Sequence, residues 1–167
     1  YGTICKIIGV HNHGDQNLQV TLEAVSRAKV ENFVDNANMF FAEVEQVNDI
    51  FTDEAEEAAL VRANASAIDD LISIIPNVPK ELIDQITKGV SASQLSDMIA
   101  QYFPFYIEKK QELMETLDVN KRLEMTLYEV RNEKTISEIE SGINQVVQDR
   151  INDNQKDFYL RERIRAM

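Results

Sequence analysis

The last fifty residues limit the fold more than any other part of the chain. From Asp118 to Met167 there is no Pro and a single Gly, Gly142. Apolar residues recur at helical spacing: Leu123, Leu127 and Val130, then Ile136, Ile139, Ile143, Val146 or Val147, Ile151, Phe158 and Ile164. The step from Val130 to Ile136 breaks the three-four rhythm, so a kink or change of phase is expected between Arg131 and Thr135. Beyond that point a continuous helix would extend roughly 45 Å at 1.5 Å per residue. The short elements upstream cannot cover such a stripe, so it must project toward another domain, another subunit or a bound chain. Gly142 costs the helix about 1 kcal/mol relative to Ala. It either permits close packing on a neighbour or softens the helix.

Upstream, two regimes meet near residue 50. Gly2 to Val10 is a β-branched run, followed by the turn-forming cluster from His11 to Gln16. Leu18, Val20, Leu22 and Ala24 alternate with polar residues, predicting one buried and one wet face. Ala28 to Val34 reads as a third strand, closed by the turn from Asp35 to Asn38. Met39 to Val47 reads as a fourth, with Phe40, Ala42 and Val44 on one face and Phe41, Glu43 and Glu45 on the other. Four short strands with tight connections predict an antiparallel meander.

From Thr52 onward the pattern is helical. Asp53, Glu54, Glu56 and Glu57 suit a first turn, where the helix dipole favours negative charge. That helix buries Leu60, Ala63, Ala67, Ile68, Leu71, Ile72 and Ile75, and stops at Pro76. Pro79 suits the first position of a second helix, which packs through Leu82, Ile83 and Ile86 and ends at Gly89. Ser91 and Gln94 form an S-x-x-Q capping box ahead of Leu95, Met98 and Ile99. Pro104 ends that helix, Phe105 to Leu117 makes another, and Asp118 caps the last.

Several chemistries are disfavoured. A net charge of −12 argues against binding a phosphate backbone, which relies on clustered Lys and Arg. No apolar run approaches the ~20 residues of a membrane-spanning helix. Cys5 is the single cysteine, so no intrachain disulfide forms and a reducing compartment such as the cytosol fits. It reads as a small apolar residue of a strand rather than a reactive thiol. His11-x-His13 offers two metal ligands without a third and reads as a solvated hairpin turn. The acidic run from Asp53 to Glu57 lacks the spacing of a calcium loop. There is no G-x-x-x-x-G-K-[ST] and no G-x-S-x-G. Between Glu133 and Asp157 the long segment is acidic; it then turns basic and aromatic from Phe158 to Arg165. That end is either an ordinary amphipathic helix terminus or a docking segment.

A family resemblance rests on particular motifs. Leu117-Asp118-Val119-Asn120-Lys121-Arg122-Leu123 resembles the "D-V-x-x-R-L" opening of the long helix of Lon proteases. The segment from Asn154 to Arg163 is similar to that family's "Q-R-E-Y-Y-L-R-E-Q" stretch. Gly2-Thr3-Ile4 and Ser26-Arg27-Ala28-Lys29-Val30 are similar to its "V-G-T-V-A-x-I" and "Q-R-A-R-I" strands. These matches occur in family order along essentially the whole chain. The family's opening "L-P-L-x-P-L-R" strands have no counterpart, so an incomplete β lobe is expected. The long helix is acidic where the family's is often basic.

The resemblance implies an α+β fold: a partial antiparallel β lobe over 1–50, a helical bundle over 51–117 and a long helix over 118–167. It implies the non-catalytic, substrate-recruiting N-terminal region of an ATP-dependent serine protease. ATP and Mg²⁺ would belong to an AAA+ module elsewhere in the parent, and no cofactor or metal to this region. The expected partners are unfolded, damaged or tagged polypeptides and the other subunits of a hexamer, in the cytoplasm, without membrane or nucleic acid. Met39 and Phe41 are the candidate substrate contacts. Phe158, Tyr159, Leu160 and Ile164 are the candidate interdomain or intersubunit contacts. The alternatives are a coiled-coil spacer that binds no substrate and a free-standing adaptor.

Overall fold

The structure, a computed structural model, describes residues 1–12, 14, 17–35, 39–74 and 80–166, and only the backbone of Thr87. The expected features at His13, the 35–38 turn beyond Asp35, Ile75, Pro76 and Pro79 lie outside the described residues. Strands β1 (Gly2–Asn12), β2 (Leu18–Val34) and β3 (Phe41–Val47) form an antiparallel sheet in the order β1-β2-β3. This is the expected meander with three strands instead of four. The second and third expected strands are one continuous β2, because Val25-Ser26-Arg27 contains no Gly, Pro, Asn or Asp to reverse the chain. The pairing absorbs the irregularity as a bulge: Ile4 lies opposite Ser26 and Cys5 opposite Ala24, leaving Val25 as the extra residue. The fourth strand begins at Phe41 rather than Met39.

The expected buried face of β2 is also corrected. Leu18, Val20 and Leu22 do share one face, opposite Asn12, Val10 and Ile7, yet all these apolar side chains are exposed. A single sheet layer cannot bury either of its faces by itself. No second layer covers this one among the described residues.

Five helices follow. In α1 (Glu54–Ile72) the Asp53 carboxylate accepts from the Glu56 amide at 2.9 Å, and three glutamates occupy the first turn. Helix α2 (Lys80–Lys88) gives way to Gly89, whose φ of +81° is the left-handed conformation that favours glycine. Helix α3 (Ala92–Tyr102) has the expected capping box between Ser91 and Gln94. Helix α4 (Ile107–Glu115) starts two residues later than expected, because Phe105 stays in the loop and stacks on Phe103. Asp118 caps α5 (Val119–Arg165), accepting from the amides of Asn120 and Lys121.

The core lies among these helices. Leu71 of α1, Leu82 of α2, Ile99 of α3 and Val119, Leu123 and Val130 of α5 are fully buried, each worth roughly 1.5–3 kcal/mol. Asn64 fixes the register of α1 on α5: its Nδ2 donates to Leu60 O and Leu123 O, both at 2.9 Å, and its Oδ1 lies 3.0 Å from Thr126 Oγ1. Burial along α5 ends at Val130. The helical assignment then continues unbroken through Arg131–Thr135, so α5 runs 47 residues, about 70 Å. The change of apolar phase read from the sequence marks where the helix leaves the bundle. A Cβ at Gly142 would meet nothing within 4 Å, so no close packing inside this chain explains that glycine.

Sheet and bundle are joined by a polar knot. Arg122 of α5 has no exposed surface. Its Nη1 donates to Asp49 Oδ1 at 2.6 Å and to Thr116 O at 3.0 Å, its Nη2 to Ser93 Oγ at 2.9 Å and its Nε to Ser96 Oγ at 3.2 Å. The Ser93 hydroxyl donates to Asp49. From β2, Arg27 pairs with Asp49 at 3.5 Å and with Asp97, and its Nε donates to Met114 O. Beside the knot, the Ile50 amide donates to Leu117 O at 2.9 Å and the Val119 amide to Ile50 O at 3.0 Å. Burial pushes the Asp49 carboxyl up, but hydrogen bonds from Arg122 and Ser93 and the charges of Arg122 and Arg27 outweigh it. The net position is below the ordinary aspartate value.

Three outcomes follow from this packing. Arg122→Ala lowers unfolding stability by about 3–5 kcal/mol in urea melts, because it empties a fully buried site and takes from Asp49 its nearer cationic partner, leaving only Arg27. Since the folded-state pKa of Asp49 is depressed, its contribution is fully present above the unfolded value near 3.9 and is lost as pH falls through the folded value. Urea midpoints of the wild type and Asp49→Asn should therefore converge below about pH 4. A chain shortened to residues 1–135 keeps its stability within about 0.5 kcal/mol, because no described residue after Val130 is buried.

Candidate protein-docking surfaces

Exposed apolar surface is concentrated at three places. The first is the face of the β1–β2 hairpin that carries Ile7, Val10, Leu18, Val20 and Leu22. The β2–β3 end is the second, where Val34 lies opposite Phe41 on one face and Phe33 opposite Ala42 on the other. Phe33 is 83% exposed, and Met39, Phe40 and Phe41 are exposed with it. Met39 and Phe41, singled out from the sequence, are thus both open to a partner and sit at the same end of the sheet. Phe41, Glu43 and Glu45 share one face of β3, the alternation read from the sequence, and Asn32 Nδ2 donates across to Glu43 at 3.1 Å.

The third is α5 beyond the bundle. Ile136, Ile139, Ile143 and Ile151 are exposed, as are Phe158, Tyr159, Leu160 and Ile164. The Phe158 and Tyr159 rings meet edge to face with centroids 6.2 Å apart. These last four occupy two turns of α5, whereas Phe41 opens β3 and Met39 precedes it, so the two candidate sets lie on different elements.

Between sheet and bundle runs a groove of about 640 Å³, lined by residues including Thr3, Arg27, Asp49, Gln94, Asp97 and Met114. Sequence reasoning missed this groove and the knot at its base. One signal was available: Arg122 falls on the same helical stripe as Val119, Leu123, Thr126 and Val130, where a charge must be paired to be buried. The Asp49 partner sits 73 residues away, beyond the reach of local pattern. Cys5 is exposed, with its thiol 3.7 Å from Thr3 O. Among the described residues, no group of three or more His, Cys, Asp or Glu side chains is arranged to hold a metal ion, and no helix is long and apolar enough to cross a membrane.

Comparison with known proteins gives one consistent result. The chain is 31% identical over 166 residues to Lon protease 1 of Syntrophobacter fumaroxidans, covering 99% of this chain and 20% of that protein. It is 28% identical to the Lon protease of Escherichia coli K12 and 26% identical to that of Brevibacillus choshinensis, each over 99% of this chain and 21% of the relative. It therefore spans about a fifth of the length of these relatives. Its fold is similar to the N-terminal domain of the Mycobacterium avium complex Lon protease, with a TM-score of 0.65 at 20% identity, over 77% of this chain and 68% of that one. The model of the ATP-dependent protease La (LON) substrate-binding domain matches residues 1–132, ending two residues past Val130, where burial along α5 ends. With that match covering most of its length, the chain belongs to the LON substrate-binding domain family.

Proposed function

We propose that this chain captures unfolded, damaged or tagged polypeptides for an ATP-dependent serine protease and performs no catalysis itself. The observation that carries the reading is the exposed apolar end of the sheet, where Val34 and Phe41 lie side by side on one face next to exposed Met39. Unfolded chains present hydrophobic side chains without fixed shape, and an open apolar patch binds them without needing a shaped pocket. The substrate-binding description of the family supports the same assignment.

In this reading the nucleotide, its Mg²⁺ and the proteolytic residues belong to the four-fifths of the relatives' length that this chain does not span. Phe158, Tyr159, Leu160 and Ile164 face a neighbouring domain or subunit and help a hexamer assemble in the cytoplasm. A net charge of −12 disfavours nucleic acid as the ligand. A second reading, a coiled-coil spacer that binds no substrate, draws on the exposed apolar residues of α5 beyond Val130.

Reduced, unfolded casein separates the two. Capture predicts co-sedimentation with the chain at micromolar concentration, weakened about tenfold in the Met39→Ser/Phe41→Ser double variant, on the basis of roughly 1–2 kcal/mol of lost apolar contact. Both side chains are exposed, so circular dichroism melts should be unchanged. No association at high micromolar concentration would leave only the spacer.

A further inference from the structure

The apolar end of the sheet is bordered by carboxylates. Between Lys29 and Glu45 there are four acidic residues, Glu31, Asp35, Glu43 and Glu45, all exposed, against one cation. That cation, Lys29, lies directly across from Glu45 and leans to Glu31, with Nζ 3.0 Å away, so one positive charge is shared between two carboxylates and Glu43 has none. The next basic residue, Arg27, is committed to Asp49 and Asp97 at the joint. The same face of β3 therefore presents Phe41, then Glu43, then Glu45, with no bulge on that strand. At about 3.3 Å per residue, the row spans about 13 Å, or roughly four residues of an extended chain.

We propose that this face selects unfolded segments in which aromatic or aliphatic residues lie next to Lys or Arg. The inference rests on the capture reading above and deepens it by naming the class of substrate. The apolar part supplies attraction that any unfolded chain satisfies. The carboxylate row discriminates: a cationic segment gains two exposed ion pairs, while an acidic one meets like charge at the same spacing. Nucleic acid is repelled by the same row.

The test uses the whole chain and three labelled, unstructured peptides of equal length and equal Leu and Phe content, whose remaining positions are Lys, Gln or Glu. Fluorescence anisotropy should show the Lys peptide binding about fivefold more tightly than the Gln peptide, the scale of two exposed ion pairs, and the Glu peptide more weakly than both. In 1 M salt, where the screening length falls to about 3 Å, the three affinities should converge. Glu43→Gln/Glu45→Gln should equalise the Lys and Gln peptides, and Glu43→Lys/Glu45→Lys should reverse the order. Equal affinities for the unaltered protein, or a Lys preference that survives in Glu43→Gln/Glu45→Gln, overturns the selectivity and leaves capture standing. Binding of none of the three peptides overturns capture as well.

Discussion

Placing a guanidinium where water cannot reach it costs several kcal/mol unless its charge is paired and each of its nitrogens finds an acceptor. Arg122 meets that cost through Asp49, two serine hydroxyls and one backbone carbonyl, drawn from the β3–α1 connection, α3 and the α4–α5 connection. Those groups converge in a single arrangement of the chain, so satisfying one side chain also fixes how the sheet sits on the helices. Among the described residues of the lobe, Ala28 is the one in the buried hydrophobic set. The relative position of the two parts is therefore set by polar geometry more than by apolar area.

Much of the helical half was legible because its signals are local. The Ser91–Gln94 box, the Asp118 cap and the glycine after α2 are each recognisable within a few residues, and each is formed in the structure, while Asp53, read as part of the first turn of α1, is its cap. The sheet was legible in its meander but not in its strand count, because a bulge at Val25 has no distinctive composition and mimics a strand break. Burial on the sheet was misread for a related reason: alternation identifies a face but does not supply its cover. Met39, Phe41, Phe158, Tyr159, Leu160 and Ile164 are all exposed, a property their apolar character would not by itself foretell. The Asp49–Arg122 pair was out of reach because its partners are distant in sequence.

The motifs that carried the family resemblance fall largely on this joint. Asp118 caps α5, Val119 and Leu123 enter the core, Asn120 reaches Asp53 O and Glu56, and Arg122 is the knot itself. Arg27, within the matching strand motif, approaches the same Asp49 from the other side. These short motifs therefore encode how two lobes are held together rather than what they bind. The surfaces free to contact other molecules lie at the far end of the sheet and along α5.

Helix α5 is seated in the core over its first dozen residues and carries no buried residue over the remaining 35 (131–165), about 52 Å, where the Lys134–Asp70 ion pair at 3.2 Å ties it to α1. Such an element behaves as a lever with its fulcrum at the Asp118–Val130 seat. A rotation of about 10° at that seat carries the Arg165 end through about 9 Å, nearly two helical turns' rise. The same geometry works in reverse, since a modest sideways force at Phe158 to Ile164 acts on the Arg122 knot with a long moment arm. Whatever engages the tip of this helix thereby gains mechanical purchase on the sheet at its base.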